Sequence, residues 1–189
     1  MTNRLGIKQL IITGIMAALV FLGTYVTRIE LPILGGRTIF HLGNMFCLIA
    51  ALLFGKKCGA FAGAIGMSFF DVVSGSFIAY FPFTFVLKFI VGFICGLIKE
   101  KNKYKLNSAK LNLLAVFIAL FINVIFSPII SVFIKTVIYG LNFYVAVVAT
   151  LGSIVSVIVN AVLSGVLAIV ILNLLEKRKF FDEVIKDDW

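Results

Sequence analysis

Six continuously apolar runs, at residues 10–26, 39–54, 59–78, 81–98, 111–138 and 145–175, leave this chain few ways to fold. None of them alternates polar with apolar residues, as the strands of a membrane barrel must. In lipid such a segment has to satisfy its own backbone hydrogen bonds, which makes it helical. About 20 apolar residues cross a hydrocarbon core, so six spans with short loops account for the length. The reading is an all-α integral membrane protein with six transmembrane helices in a single bundle, one domain over residues 1–189.

Composition excludes the soluble alternative. The chain is 62% hydrophobic and 13% charged, with mean hydropathy +1.16. Soluble domains are roughly 45–50% apolar and carry about 25% charge, so the surplus here has no soluble core to fill. The net charge of +9 would suggest nucleic acid in a soluble protein. Its placement says otherwise. Arg4, Lys8, Lys56, Lys57, Lys99, Lys101, Lys103, Lys105, Lys110, Lys177, Arg178, Lys179 and Lys186 fall on one side of the spans, and only Arg28 and Arg37 on the other. That asymmetry follows the positive-inside rule and puts both the N- and C-termini in the cytoplasm. No nucleic-acid partner is expected.

The N-terminus superficially resembles a signal peptide, but its apolar run reaches Val26 with no cleavage site before polar sequence, so it is read as the first span. Cys47, Cys58 and Cys95 have unrelated spacings and read as packing residues rather than a disulfide framework or metal site. The stretch KEKNKYKLNSAK at 99–110 is either a solvated loop beside anionic headgroups or a docking site for a cytoplasmic partner. The stretch RIELPILGGRT at 28–38 cannot stay helical past Pro32 and Gly35-Gly36, while Ile29, Leu31, Ile33 and Leu34 keep it adhesive. It is a lid over the bundle's mouth or an interfacial connector.

Function is concentrated in GAIGMSFFDVVSGSFIAYFPFTFVLKF, residues 63–89, where Asp71 and Lys88 interrupt apolar helices. Each charge is costly in a bilayer unless paired or wetted. Asp71 precedes the outer end of the third span by about seven residues and Lys88 follows the outer start of the fourth by as many, so both lie roughly 10 Å deep at 1.5 Å per residue. A structural ion pair explains them, and so does a polar site. For the site speak Thr84 one turn from Lys88, Ser68 and Ser74 flanking Asp71, and His41 and Asn44 at similar depth on the second span. Tyr80, Phe81 and Phe83 ring the mouth.

The fifth span repeats Asn123, Ser127, Ser131 and Lys135 at intervals of four, and the sixth repeats Gly152, Ser156, Asn160 and Ser164. Such spacing keeps each set on one helix face. These stripes either bind helices together or contact a ligand, and Lys135 is near enough to the outer end to snorkel. Pro128 is expected to kink the fifth span. A small organic ligand suits a concave apolar site with a few placed polar groups. The candidate substrate-binding residues are His41, Asn44, Asp71, Tyr80, Thr84, Lys88, Asn123, Ser127, Lys135 and Asn160. Small-residue pairs Gly14/Ala18, Gly59/Gly63 and Gly92/Gly96 permit close helix approach.

No engine accompanies the pocket. Gly55-Lys56-Lys57 lacks the rest of a phosphate-binding loop, and no hydrolase or metalloprotease motif occurs. The chain reads as a non-enzyme with no catalytic residue, cofactor or metal, a subunit that borrows its energy. The alternative is a stand-alone secondary transporter with Asp71 carrying protons, although no internal repeat of the kind many such transporters show is evident.

The blocks RTIFHLGNMFCLIAALLFGKKCGAFAGAIGMSFFDVV and YFPFTFVLKFIVGFICGLI resemble the substrate-binding S components of energy-coupling factor (ECF) vitamin transporters. That resemblance implies a six-helix subunit of the bacterial cytoplasmic membrane that captures a vitamin from outside. It also implies docking on a transmembrane scaffold subunit with two ABC ATPases. Gly14 and Ala18 match the family's Ala-xxx-Ala scaffold contact, small for small, and the outer loop at 28–38 matches a ligand-covering lid. Substrates across such families include riboflavin, pyridoxine-like compounds, hydroxymethylpyrimidines and queuosine precursors. Some riboflavin-type relatives carry an acid where this chain has Asn44. Lys88 and Lys135 against Asp71 leave one positive charge, which suits a small nitrogen heterocycle with acceptor oxygens or partial negative charge.

Overall fold

The computed structural model describes residues 6–33, 36–101 and 109–177; Arg4, most of the basic loop and the basic C-terminal tail lie outside them. In chain order the elements are α1 (Ile7–Val26), β1 (Ile29–Ile33), β2 (Gly36–Phe40), α2 (Gly43–Ser74), a 3-10 turn (Ile78–Tyr80), α3 (Phe81–Glu100), α4 (Ala109–Phe133), a π-helical turn (Ile134–Ile138) and α5 (Phe143–Lys177). Among the described residues, five helical segments are long and apolar enough to cross a membrane.

The longest of the early segments, α2, is not straight. At Gly55 the backbone takes φ 81° and ψ 179°, a conformation that glycine alone adopts without strain. The arms 43–54 and 56–74 then lie against each other. A methyl group at Gly59 would overlap Ala51, one at Gly63 would overlap the Cys47 sulfur, and one at Gly43 would come 3.0 Å from the Met67 sulfur. Residues 47 and 63 on a straight helix would be about 24 Å apart. The bend is clamped by α3: Glu100 accepts the Lys56 N–H at 2.9 Å through Oε1 and the Lys56 ammonium at 2.6 Å through Oε2. At the same end Lys99 donates to Asn112 Oδ1 of α4 at 2.6 Å.

The second apolar run does not begin as a helix at Ile39. Residues 36–40 pair antiparallel with 29–33, matching Ile29 with Phe40 and Ile33 with Gly36, so the bundle carries a two-stranded hairpin beside its helices. Pro32 is tolerated because both strands of so small a sheet are edges. The hairpin rests on α5, where the Thr38 and Ser156 hydroxyls meet.

The core is built by close backbone approach. A methyl on Gly92 would overlap the Gly59 carbonyl, and one on Gly96 would overlap the backbone of Lys56. Cys47, Cys58 and Cys95 are free thiols buried in this packing. Two of the three small-residue pairs thus join α3 to the α2 hairpin. The third differs, since Gly14 has open space where its side chain would be and Ala18 is exposed. On the far side, Pro128 sits inside α4, which ends in the π-helical turn and runs antiparallel to α5, with Ser131 3.3 Å from Thr150.

Candidate substrate site

At the hairpin end the helices separate around a partly open cavity of about 450 Å³. Volumes of roughly 300–1,000 Å³ are usual for small-molecule sites. Each of the five helices contributes to its wall, α2 only through its second arm, and the hairpin adds to it, from Thr24 of α1 and Thr38 of β2 to Val157 of α5.

Lys88 enters from α3 and is 7% exposed. Its ammonium donates to Asn44 Oδ1 at 2.7 Å and to Asn123 Oδ1 at 2.6 Å. Bonds of this kind to an ionised donor are short and strong. An ammonium has three donors, so one is left for the cavity that Lys88 lines. Asn44 and Asn123 stand behind it and are not part of the lining. They position the lysine.

Asp71, also 7% exposed, comes from the second arm of α2. It forms no ion pair with Lys88; among the described residues such pairs join Arg28 to Glu30 and Lys56 to Glu100. The Thr84 side chain faces its carboxylate, yet Oδ2 is buried without a hydrogen-bond partner. The matched depth of the two charges therefore serves a shared wall rather than a closed pair. A buried polar atom left unsatisfied costs about 1–3 kcal/mol, and a ligand donor would remove that cost. Ser68 and Ser74 take no part, since their hydroxyls return to the carbonyls of Ala64 and Asp71 on their own helix.

Lys135 reaches in from the π-helical turn that follows α4. It does not snorkel: it is 8% exposed, and its ammonium donates to the Ala149 carbonyl at 2.9 Å and Thr150 Oγ1 at 3.1 Å. Ser131 touches both Thr150 and, at 3.5 Å, the Tyr80 hydroxyl. Ser127 and Pro128 of α4 also line the cavity.

Asn160 lines the cavity and uses one donor and one acceptor of its amide on the chain itself. It accepts the His41 N–H at 3.0 Å and donates to the Ile39 carbonyl at 2.8 Å, clasping the end of β2 as a strand would. His41, between β2 and α2, accepts the Gly43 N–H at Nδ1, 3.2 Å away, which places its own proton on Nε2. Burial first, and the Lys88 charge second, push this imidazole from 6.5 down to about 3, so it is neutral. The α5 stripe divides: Ser156 and Asn160 hold the strand, Ser164 is fully buried and Gly152 faces outward.

Eight of the ten expected residues line one cavity: His41, Asp71, Tyr80, Thr84, Lys88, Ser127, Lys135 and Asn160. Thr24, Met67, Phe70 and Ser153 line it as well and were not expected. Thr24 bonds its own Val20 carbonyl and the Met67 sulfur, so its polarity was spent locally and left no periodic signal. Ser156 did carry one, through its place in the stripe of four.

Fold and site define a class: a multi-pass helical membrane protein with a ligand-sized, sparsely polar cavity. The family model for the ECF-type riboflavin transporter, S component, matches residues 4–177, and the chain belongs to that family. S components are the substrate-binding, non-catalytic subunits of ECF transporters. A solved S component of a bacterial ECF transporter shares the fold, with a TM-score of 0.66 over 90% of this chain and 96% of that one at 20% identity. No curated protein matches by sequence.

Proposed function

We propose that this protein is the high-affinity capture subunit of an ECF-type importer in the bacterial cytoplasmic membrane. It takes a water-soluble vitamin or related nitrogen heterocycle from outside. It hands that cargo to a transmembrane scaffold driven by two ABC ATPases. The two arms of α2 then count as two crossings, giving six, with both termini cytoplasmic and the cavity facing outward. The basic Lys56–Lys57 turn at the opposite end supports that orientation. The β1–β2 hairpin acts as the lid, and the outward-facing Gly14 and Ala18 offer α1 as the scaffold contact.

The observation that carries this reading is one ligand-sized, partly open cavity lined both by Asp71, whose Oδ2 has no hydrogen-bond partner, and by Lys88, whose ammonium keeps one donor spare. A heterocycle with adjacent donors and acceptors satisfies both. Riboflavin is the first compound to try, given the family. Asn44 in place of an acid does not weaken that choice, because its amide oxygen already serves as the acceptor for Lys88.

Native mass spectrometry of protein extracted gently from its host membrane tests the proposal. A stoichiometric heterocyclic metabolite is expected. An empty protein that also ignores a vitamin panel sinks it.

A further inference from the structure

We infer that Lys135 forms a second subsite in the cavity, one that takes an anionic group, a phosphate or carboxylate, carried by the ligand. The inference rests on the capture role proposed above and narrows its substrate.

Charge distribution is the first argument. The ionisable groups facing the cavity are His41, Asp71, Lys88, Lys135 and the phenols Tyr80 and Tyr139. His41 is neutral. Asp71 and Lys88 arise from neighbouring helices on one wall and offset each other without touching. Lys135 rises from the π-helical turn after α4 with no carboxylate paired to it among the described residues, held by a carbonyl and a hydroxyl. Neutral acceptors orient an ammonium but leave its charge in place. A buried charge without a counter-charge is costly, and an anion on the ligand would lift that cost on binding.

The second argument is the local build. The π-helical turn fixes the base of the side chain: the Lys135 carbonyl accepts the Leu141 N–H at 3.0 Å, and the Ile134 carbonyl accepts that of Tyr139 at 3.1 Å. Such turns are frequent at functional sites. Thr150 spends its proton on the Ala146 carbonyl at 2.8 Å, so it accepts from Lys135 and from Ser131. Ser131, having one proton, then accepts from Tyr80. These two hydroxyl contacts are long, 3.3 and 3.5 Å, and an arriving anion can draw both donors to itself beside the third N–H of Lys135.

The test uses the full chain in nanodiscs with paired ligands: riboflavin and flavin mononucleotide, pyridoxal and pyridoxal phosphate, hydroxymethylpyrimidine and its phosphate. For whichever heterocycle binds, the phosphorylated member should be about tenfold tighter. Lys135→Gln should abolish that advantage, bringing the affinities of the two members of the pair together whatever their absolute values, and Lys135→Arg, which keeps the charge, should retain it. A wild-type preference for the neutral member, or a phosphate advantage that survives Lys135→Gln, overturns the subsite. If none of the pairs binds, the capture reading fails on its own, and inorganic phosphate still decides the subsite. At matched ionic strength phosphate should raise the melting temperature of the wild type and not of Lys135→Gln; an equal rise in both overturns it.

Discussion

Between α3 and the arms of α2 the backbones touch, Gly92 against the Gly59 carbonyl and Gly96 against Lys56, while Gly59 and Gly63 bring the two arms of α2 together on Ala51 and Cys47. At the cavity, α4 with its π-helical turn meets α5 through polar groups, Lys135 to Ala149 and Ser131 to Thr150, whereas deeper in the bundle Ala115 and Ala119 share an apolar cluster with Ala161 and Ala168. The same bundle has a solid wall on one side and a hollow one on the other, and the hollow side is the more apolar, with mean hydropathy 2.7 in both spans against 1.7 and 2.2. Small residues let helices close to the limit set by their backbones. Polar groups that need partners hold them apart. The solid side presents Asp71 and Lys88 from a platform with no slack. The hollow side presents Lys135 and the hairpin clasp from groups that can re-pair.

The largest expected effect breaks the solid side. In Gly92→Ala the new methyl meets the Gly59 carbonyl and the Ala60 nitrogen, neither of which can rotate away. The loss should be about 3 kcal/mol, near the upper end for overpacking, or about 10 °C in melting temperature for a chain of this size. Gly14→Ala is the control: with nothing within 4 Å of the added methyl, its stability should stay within about 0.5 kcal/mol of wild type. Equal damage at both glycines would mean that the close approach seen at Gly92 is not what stabilises the bundle.

A smaller effect is expected on the hollow side. Asn160→Leu removes both bonds to the end of β2, freeing the Ile39 carbonyl and the His41 N–H. The stability loss should be about 1–2 kcal/mol. The ligand should leave about tenfold faster, because the strand covering it has lost its clasp. Hydrogen exchange at residues 36–41 read beside the ligand off-rate separates the cases. Faster exchange with an unchanged off-rate would reduce the hairpin to a connector.

This contrast was only partly legible in the sequence. Apolar runs and misplaced charges are read directly, because lipid penalises both strongly, and so the helices, Asp71 and Lys88 came out. The gap at residues 55–58 marked the break between two runs, but not that a single glycine turns the chain there. The strand at 36–40 was hidden because Ile39 and Phe40 extend an apolar run, and a short apolar run does not distinguish strand from helix. Depth follows from residue counting, whereas direction around the helix turns by about 100° per residue. That is why Asp71 and Lys88 were placed level yet their partners were not. Asn160 was found as a polar residue on the right face, but not as one whose amide also clasps a strand.

The smallest expected effect sharpens the comparison at the seam between the two sides, where His41 joins the clasp to α2. Its imidazole is neutral in the folded protein and ordinary in the unfolded one, lowered from 6.5 to about 3. Between those values the unfolded chain binds the extra proton, so this contribution to stability is complete above pH 6.5 and is lost as pH falls toward 3. His41 is only partly buried, and solvent screening should hold the effect to about 1 kcal/mol by pH 5. Melting temperatures of wild type and His41→Gln followed from pH 8 to pH 5 check it. Glutamine can still accept the Gly43 N–H but takes up no proton, so the two curves should converge as the pH drops. Parallel curves would show that His41 is not held neutral by the fold, and that the clasp can be charged without strain.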